Sequence, residues 1–341
     1  MKSQAGFSLA ELLIAMTVML LISGAAVTAL LKMSTTQSTI WNRTQMHSGI
    51  RGATEVLQQE VGQAGRIALI SGSATCTNNT TVPCLNANVT GSTTPQTVDV
   101  TSICGMFVGE NLTVDIGTSQ ETVAITQING AASDPTATQC PTGATVTAGN
   151  ITGIFTISHN QYAVLQALGG FFEGVVPTTA TNGSTAAVLK LFGDINADGN
   201  IVYVEYSISP ACICSGTCSP STTTGNLYRN SMSWNVASKT PASASQILLS
   251  NITQNPNGTQ CFTLQPQTVN GNTYVTDVAV TLTVQTQLLD PVTKTYQTET
   301  KALLNVSPRN VFNTWELASS GSTARVQPRP ASITTLLAGP S

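Results

Sequence analysis

Apolar and polar positions follow three regimes along this chain of 341 residues. Residues 7–31 are apolar almost without a break, and Glu11 is the one charge among them. Twenty-five residues make about 37 Å of helix at ~1.5 Å per residue, enough to cross a hydrocarbon layer of ~30 Å. Past Lys32 the pattern becomes periodic: Ile50, Ala53, Leu57, Val61 and Ala64 recur at helical spacing, which predicts an amphipathic continuation of the same helix. Gln58, Gln59, Glu60 and Gln63 form its wetter face, and Gly65 reads as its stop. Beyond about residue 70 the period shortens to two. Alternating, β-branched stretches at 97–103, 111–117, 121–128, 186–192, 201–208, 246–252, 277–288 and 295–306 predict strands. The last two, joined by LDPVTK, predict a β-hairpin. Polar Ser/Thr/Asn/Gly-rich stretches between strands read as surface loops, and the segment after about Asn310 as a mobile tail. No internal repeat is visible.

Composition narrows the function classes. Charged residues are 9% of the chain, against about 25% in ordinary soluble domains. The missing charge is replaced by Thr, Ser, Asn, Gln and Gly, the look of an extracellular β-rich surface. The formal net charge is −3, and no Lys or Arg stands between Arg66 and Lys190. A nucleic-acid partner, which needs a basic footprint, is not expected. His47 and His159 are the only histidines. Neither sits in a nucleophile–base pattern, a surface or capping role is expected for each, and an enzyme is not expected.

Glu11 is the informative residue. A carboxylate inside a membrane-length segment costs a few kcal/mol or more and persists where it finds a partner. A secretory signal peptide cut near residues 23–29 and a plain anchor with Glu11 at its interface are two readings. The local string supports a third. After Lys2 comes G-F-S-L-A-E, from Gly6 through Phe7, Ser8, Leu9 and Ala10 to Glu11, and then the long apolar run. This resembles the processing motif of type IV prepilins and type II secretion pseudopilins. The resemblance implies cleavage by a prepilin peptidase after Gly6, methylation of the new N-terminal Phe7, and Glu11 as the family's fifth-residue carboxylate. Ala10 stands where a larger aliphatic is commoner. Glu11 of one subunit would neutralise the free amine of its neighbour inside a bundle of apolar helices, setting the register of assembly.

Three further segments resemble PilW-type minor pilins. Leu57, Glu60, Ala64 and Gly65 match an L-x-x-(D/E)-x-x-x-A-G helix ending; Leu227, Tyr228 and Arg229 match a short L-Y-R segment after a Tyr-containing strand; SPRN at 307–310 follows the last strand. The resemblance implies an α+β, pilin-like fold, with a long N-terminal helix packed on a large antiparallel β-rich head. The expected divisions are a leader at 1–6, a transmembrane helix at 7–31, an amphipathic helix at 32–68, a head at 69–309 and a flexible tail at 310–341. It implies other pilins as partners, an inner-membrane anchor with a periplasmic head before assembly, and a pilus or cell-surface location afterwards. A minor pilin of pilus initiation or of the tip is the expected function. A J-type minor pseudopilin of type II secretion and a pilus-tip adhesin are the alternatives.

Two sets of side chains could carry further chemistry. Eight cysteines, Cys76, Cys84, Cys104, Cys140, Cys212, Cys214, Cys218 and Cys261, follow the hydrophobic segment. An even count outside the cytoplasm predicts disulfides rather than zinc, since the 212–218 spacing lacks a second Cys pair and a nearby His. Cys76–Cys84 and Cys104–Cys140 are the first pairings to test. Asp194, Asn196, Asp198, Asn200 and Glu205, with Gly199 between, fit the calcium-loop spacing D-x-[DN]-x-[DN]-G-x5-E. Calcium is the one candidate cofactor. The competing reading is a polar β-turn, which N-A-D-G also favours.

Overall fold

A computed structural model describes residues 8–67, 76, 83–135, 148–220, 223–239 and 245–338. Its dominant element is α1 (Leu9–Gln63), an unbroken helix of 55 residues. The two halves of α1 have different surroundings. Every residue from 8 to 34 is exposed, whereas Ile50, Ala53, Leu57, Val61 and Ala64 are buried in the head, as the helical spacing predicts. Gly65 stops the helix at φ +79°, and a Cβ there would lie 2.7 Å from Val311 Cγ2, so this turn needs glycine for conformation and for space.

The head begins with two small antiparallel sheets. β1 (Gln96–Val100), β2 (Asn111–Val114), β3 (Glu121–Ala124), β4 (Gln127–Ile128), β5 (Gly149–Gly153) and β6 (Leu165–Ala167) pair in the orders β1-β5-β4 and β3-β2-β6. They share one core around Leu112, Val114, Ile151 and Phe155. The short β7 (Gly170–Phe171) leads into a seven-stranded sheet. That sheet holds β8 (Val188–Gly193), β9 (Val202–Ser209), β10 (Gly225–Ser233), β11 (Gln246–Thr253), β12 (Phe262–Val269), β13 (Asn272–Gln285) and β14 (Thr298–Val306). Its order is β12-β13-β11-β10-β9-β8, with β14 on β13. The β13–β14 hairpin is present, with Thr283 opposite Thr300. β5, β6 and β12 and the full length of β10 were not anticipated: the first two are short. β12 carries Pro266 at a register shift and lies on the sheet edge, where a missing N–H is tolerated.

The large sheet is covered on both faces. Leu189, Leu191, Val204, Tyr206 and Ile208 join the core beneath α1. The alternate positions Phe192 and Tyr203 join a second core with Phe107, Phe171 and Trp234. That second core corrects the expected tail. Residues 309–338 fold as α3 (Arg309–Ser319), β15 (Val326–Gln327) and α4 (Ala331–Ala338), with α2 (Cys212–Ser215) an earlier, one-turn α-helix. Ile333, Leu336 and Leu337 of α4 are fully or almost fully buried against the aromatic cluster, and β15 pairs in parallel with β7. The i, i+3, i+4 apolar triplet is too short to declare a helix in isolation; burial in one cluster with Phe107 and Trp234 supports it.

Disulfides lock the head at three described places. Cys76 bonds Cys84, Cys212 bonds Cys218, and Cys214 bonds Cys261. The Cys76–Cys84 expectation is met. Cys104 is disulfide-bonded, and Cys140 lies outside the described residues. The three cysteines of CICSGTC thus belong to two bridges, one at the surface turn and one inside the α1 core.

Candidate functional site

The processing pair Gly6 and Phe7 lies outside the described residues. The description starts at Ser8, which is the N-cap of α1, and the first turn explains the local geometry of Glu11. Glu11 N–H donates to Ser8 Oγ at 3.3 Å, and Ser8 N–H donates to Glu11 Oε2 at 3.0 Å. This reciprocal capping satisfies two of the N–H groups that a helix start leaves open. It gives the carboxylate a hydrogen bond but no cation; among the described residues Glu11 forms no ion pair. An exposed carboxylate with one amide partner is open to a positive charge from elsewhere.

At the other end of α1, Glu60 is fully partnered. Arg229 Nε donates to its two oxygens at 3.0 and 3.2 Å, and Nη2 reaches Oε1 at 2.5 Å. Tyr206 OH donates to Oε2. Burial opposes the charge on Arg229, but the Glu60 carboxylate more than offsets it and raises the pKa. Burial and the same carboxylate push the Tyr206 hydroxyl far up, so it stays a donor. The pair joins α1 to β9 and β10 in one forked, charge-assisted contact. Sequence reasoning placed Glu60 on the wet face and missed this; the only available signal was the arginine of the L-Y-R segment.

A second junction closes the helix. Asn310 Nδ2 donates to the carbonyls of Gln63 at 3.1 Å and Ala64 at 3.4 Å, two acceptors that the helix end leaves open. The chain then passes through a tight crossing. Gly65 N–H donates to Phe192 O, and Phe171 N–H to Gly65 O, both at 2.9 Å. Thus the segments 57–65, 227–229 and 307–310 meet at the foot of one helix.

The calcium-loop residues are not gathered around one point. Asp194 is buried, and its Oδ1 accepts the N–H groups of Asp198 at 3.0 Å and Gly199 at 3.3 Å, closing a polar turn. Burial raises its pKa, opposed by those N–H groups and by Arg66, 3.6 Å away. Asp198 Oδ1 accepts from Asn200 N–H at 2.9 Å, and Asn196 is exposed at the turn. Glu205 is drawn to the opposite business of β9: its carboxylate receives Lys239 Nζ at 2.6 Å and Tyr203 OH at 2.6 Å, with Lys190 3.9 Å away. Among the described residues no three His, Cys, Asp or Glu side chains converge as a metal set. The 194–200 segment is closed as a polar turn, while Glu205, at the twelfth position, is engaged by Lys239 and Tyr203.

The histidines divide. His47 is exposed on α1 and pairs with Glu299 of β14. His159 has a fully buried side chain, so of the surface and capping roles expected it does not take the surface one. Its Nε2 lies 2.7 Å from Glu121 and its Nδ1 3.6 Å from Asp115. Burial acts to raise the Glu121 pKa, but Thr156 and His159 hydrogen bonds outweigh it and the pKa falls. This cluster pins two loops of the small-sheet core and faces no described cleft.

Residues 1–27 match the family model for the prokaryotic N-terminal methylation motif. That motif supports membership in the type IV pilin and pseudopilin superfamily, whose proteins are structural subunits. It carries with it processing by prepilin peptidase and assembly with other pilins. No curated protein and no solved structure matches the chain. The fold beyond the motif, an exposed apolar helix followed by an antiparallel β-rich head, is a pilin-like α+β arrangement. The exposed half of α1 is long and apolar enough to span a bilayer.

Proposed function

We propose that the protein is a minor pilin of PilW type that helps prime or cap a type IV pilus after cleavage between Gly6 and Phe7. The observation carrying this reading is Glu11: the only charge in residues 7–31, on the exposed half of α1, with an amide partner and, among the described residues, no cation. Cleavage would create a free amine on Phe7. In a bundle of such helices the amine of one subunit is the cation that the Glu11 of its neighbour lacks, and an unpaired buried charge costs roughly 3–5 kcal/mol. The meeting of Glu60, Arg229 and Asn310 at the end of α1 supports the finer PilW-type reading. The large head supports a rare initiating or tip position, since a repeating subunit of this bulk would crowd a helical lattice. Before assembly the head would lie in the periplasm.

Mass spectrometry of the N-terminus in membranes and in sheared filaments tests the reading. A methylated Phe7 in filaments is the expected result. Methylated Phe7 confined to membranes favours a J-type pseudopilin, and an N-terminus near residue 26 ends the pilin reading. Glu11→Ala is expected to insert into membranes normally and to be lost from filaments; recovery at the wild-type level would refute the role given to Glu11.

A further inference from the structure

The β13–β14 hairpin extends along α1 toward the membrane-spanning half. Three contacts fix it there: Asp290 bonds the Thr39 side chain, Arg43 bonds Gln297, and His47 pairs with Glu299. Of these, the contact nearest the membrane-spanning half is the one at Thr39, eight residues past Leu31. At ~1.5 Å per residue that is about 12 Å beyond the apolar run. The headgroup layer on each side of a bilayer is roughly 5–7 Å thick. The hairpin tip, the part of the head held nearest the membrane-spanning half, therefore faces that layer across about 5 Å, a gap that long side chains can bridge.

Its side chains suit that position. Leu288, Leu289, Val292 and Tyr296 are exposed, Val292 to 73%. The tip's one acid is turned inward: Asp290 is buried and accepts Val292 N–H at 2.8 Å, Thr293 N–H at 2.9 Å and Gln297 Nε2 at 2.6 Å. Lys294 is exposed beside them, and Lys32 and Arg43 are the exposed charges of α1 nearest in sequence. The one acid close by, Glu299, is engaged by His47. Trp41, 72% exposed, lies on α1 two residues past the Thr39 contact and adds a second amphipathic ring. Exposed aliphatics, interfacial aromatics and unopposed cations are the combination that binds an anionic lipid surface.

We propose that the hairpin tip at residues 286–297 is a second membrane contact, with anionic phospholipid headgroups and the adjoining acyl chains as its partner. The proposal rests on α1 spanning the bilayer. It gives the head a fixed tilt on the membrane, through two footholds instead of one, until the subunit is withdrawn into a filament and the tip is freed.

The test uses the full chain in vesicles of phosphatidylethanolamine and phosphatidylglycerol. Leu289→Trp is placed in a Trp41→Phe background, with Trp234 and Trp315 as a constant head signal. Carbonate extraction establishes independently whether α1 is inserted. The expected result is insertion, blue-shifted emission from the new tryptophan and its quenching by lipids brominated near the headgroup. Adding Leu288→Asn and Val292→Asn should remove the quenching and leave insertion intact. An inserted chain whose tip fluoresces as in water overturns the proposal while sparing the anchor. An extractable chain overturns both. A tip that is shielded only in lipid-free filaments assigns the surface to a neighbouring subunit and overturns it as well.

Discussion

Glu11 and Glu60 occupy one continuous helix, yet only one is answered within its own chain. Glu60 receives Arg229 and Tyr206 from the head; Glu11 receives the amide of Ser8. The halves of α1 around them differ in the same way. Near Glu60, Leu57 and Val61 are wholly buried against the sheet, while around Glu11 every apolar side chain is exposed, Leu20 to 71%. The inner half is therefore finished by folding, and the outer half is finished by its surroundings: lipid for the apolar side chains and a second chain's charge for the carboxylate.

Substitutions should separate the halves. Leu57→Ala removes a fully buried side chain and should cost the head about 2–5 kcal/mol, read by denaturant unfolding in detergent. Leu20→Ala, on the exposed half, should fall within about 0.5 kcal/mol of wild type. Equal losses would mean that the outer half also packs on its own head. The carboxylate partners give the next contrast. Arg229→Ala leaves Glu60 half-buried beside Tyr206 without its cation, at an expected cost of roughly 1–3 kcal/mol, with filament incorporation reduced only as far as the head is unstable. Glu11→Ala should leave head stability unchanged.

Glu110 sharpens the comparison further, as a carboxyl that forms no ion pair among the described residues. It is fully buried, accepts Phe107 N–H at 3.4 Å, and has Oε1 without a hydrogen bond. Burial raises its pKa well above the usual range, the Phe107 amide opposes this, and nearby Asp134 adds to it. Because the folded carboxyl keeps its proton to higher pH than the unfolded one, its contribution is fully favourable below the ordinary carboxylate range. It is lost as pH rises toward the folded value, at up to ~1.4 kcal/mol per pH unit. Glu110→Gln should thus raise the melting temperature at pH 7 and make little difference at pH 4. The opposite ordering would mean that Glu110 is ionised and partnered. Asp134, which accepts Ser332 N–H at 2.9 Å and Ser332 Oγ at 2.6 Å at the start of α4, is the acid facing it.

Much of the site was legible before the fold. A long apolar run with one carboxylate declares itself by composition, since lipid imposes its demand on every residue equally. The stripe of Ile50, Leu57 and Val61 declares the inner half, since one face of a helix repeats. The hairpin after residue 277 was readable from alternation alone. What was not legible depended on partners distant in the chain. Arg229 could not be assigned to Glu60, nor Asn310 to the carbonyls of Gln63 and Ala64, because nothing local marks a side chain that acts 169 and 247 positions away.

The sequence by itself determined the membrane-length helix, its processing signal, its lone carboxylate and the β-rich character of the head, all properties of neighbouring residues and their spacing. Tertiary structure alone decided that residues 309–338 fold back as core, that Glu205 goes to Lys239 instead of the Asp194 turn, that His159 is buried, and that the 286–297 tip stands beside Thr39. Each of these is a competition between groups far apart in sequence. Burial and charge pairing settle such competitions only when the chain has closed, because a contact's energy depends on what else is within a few ångströms and not on what precedes it in the chain.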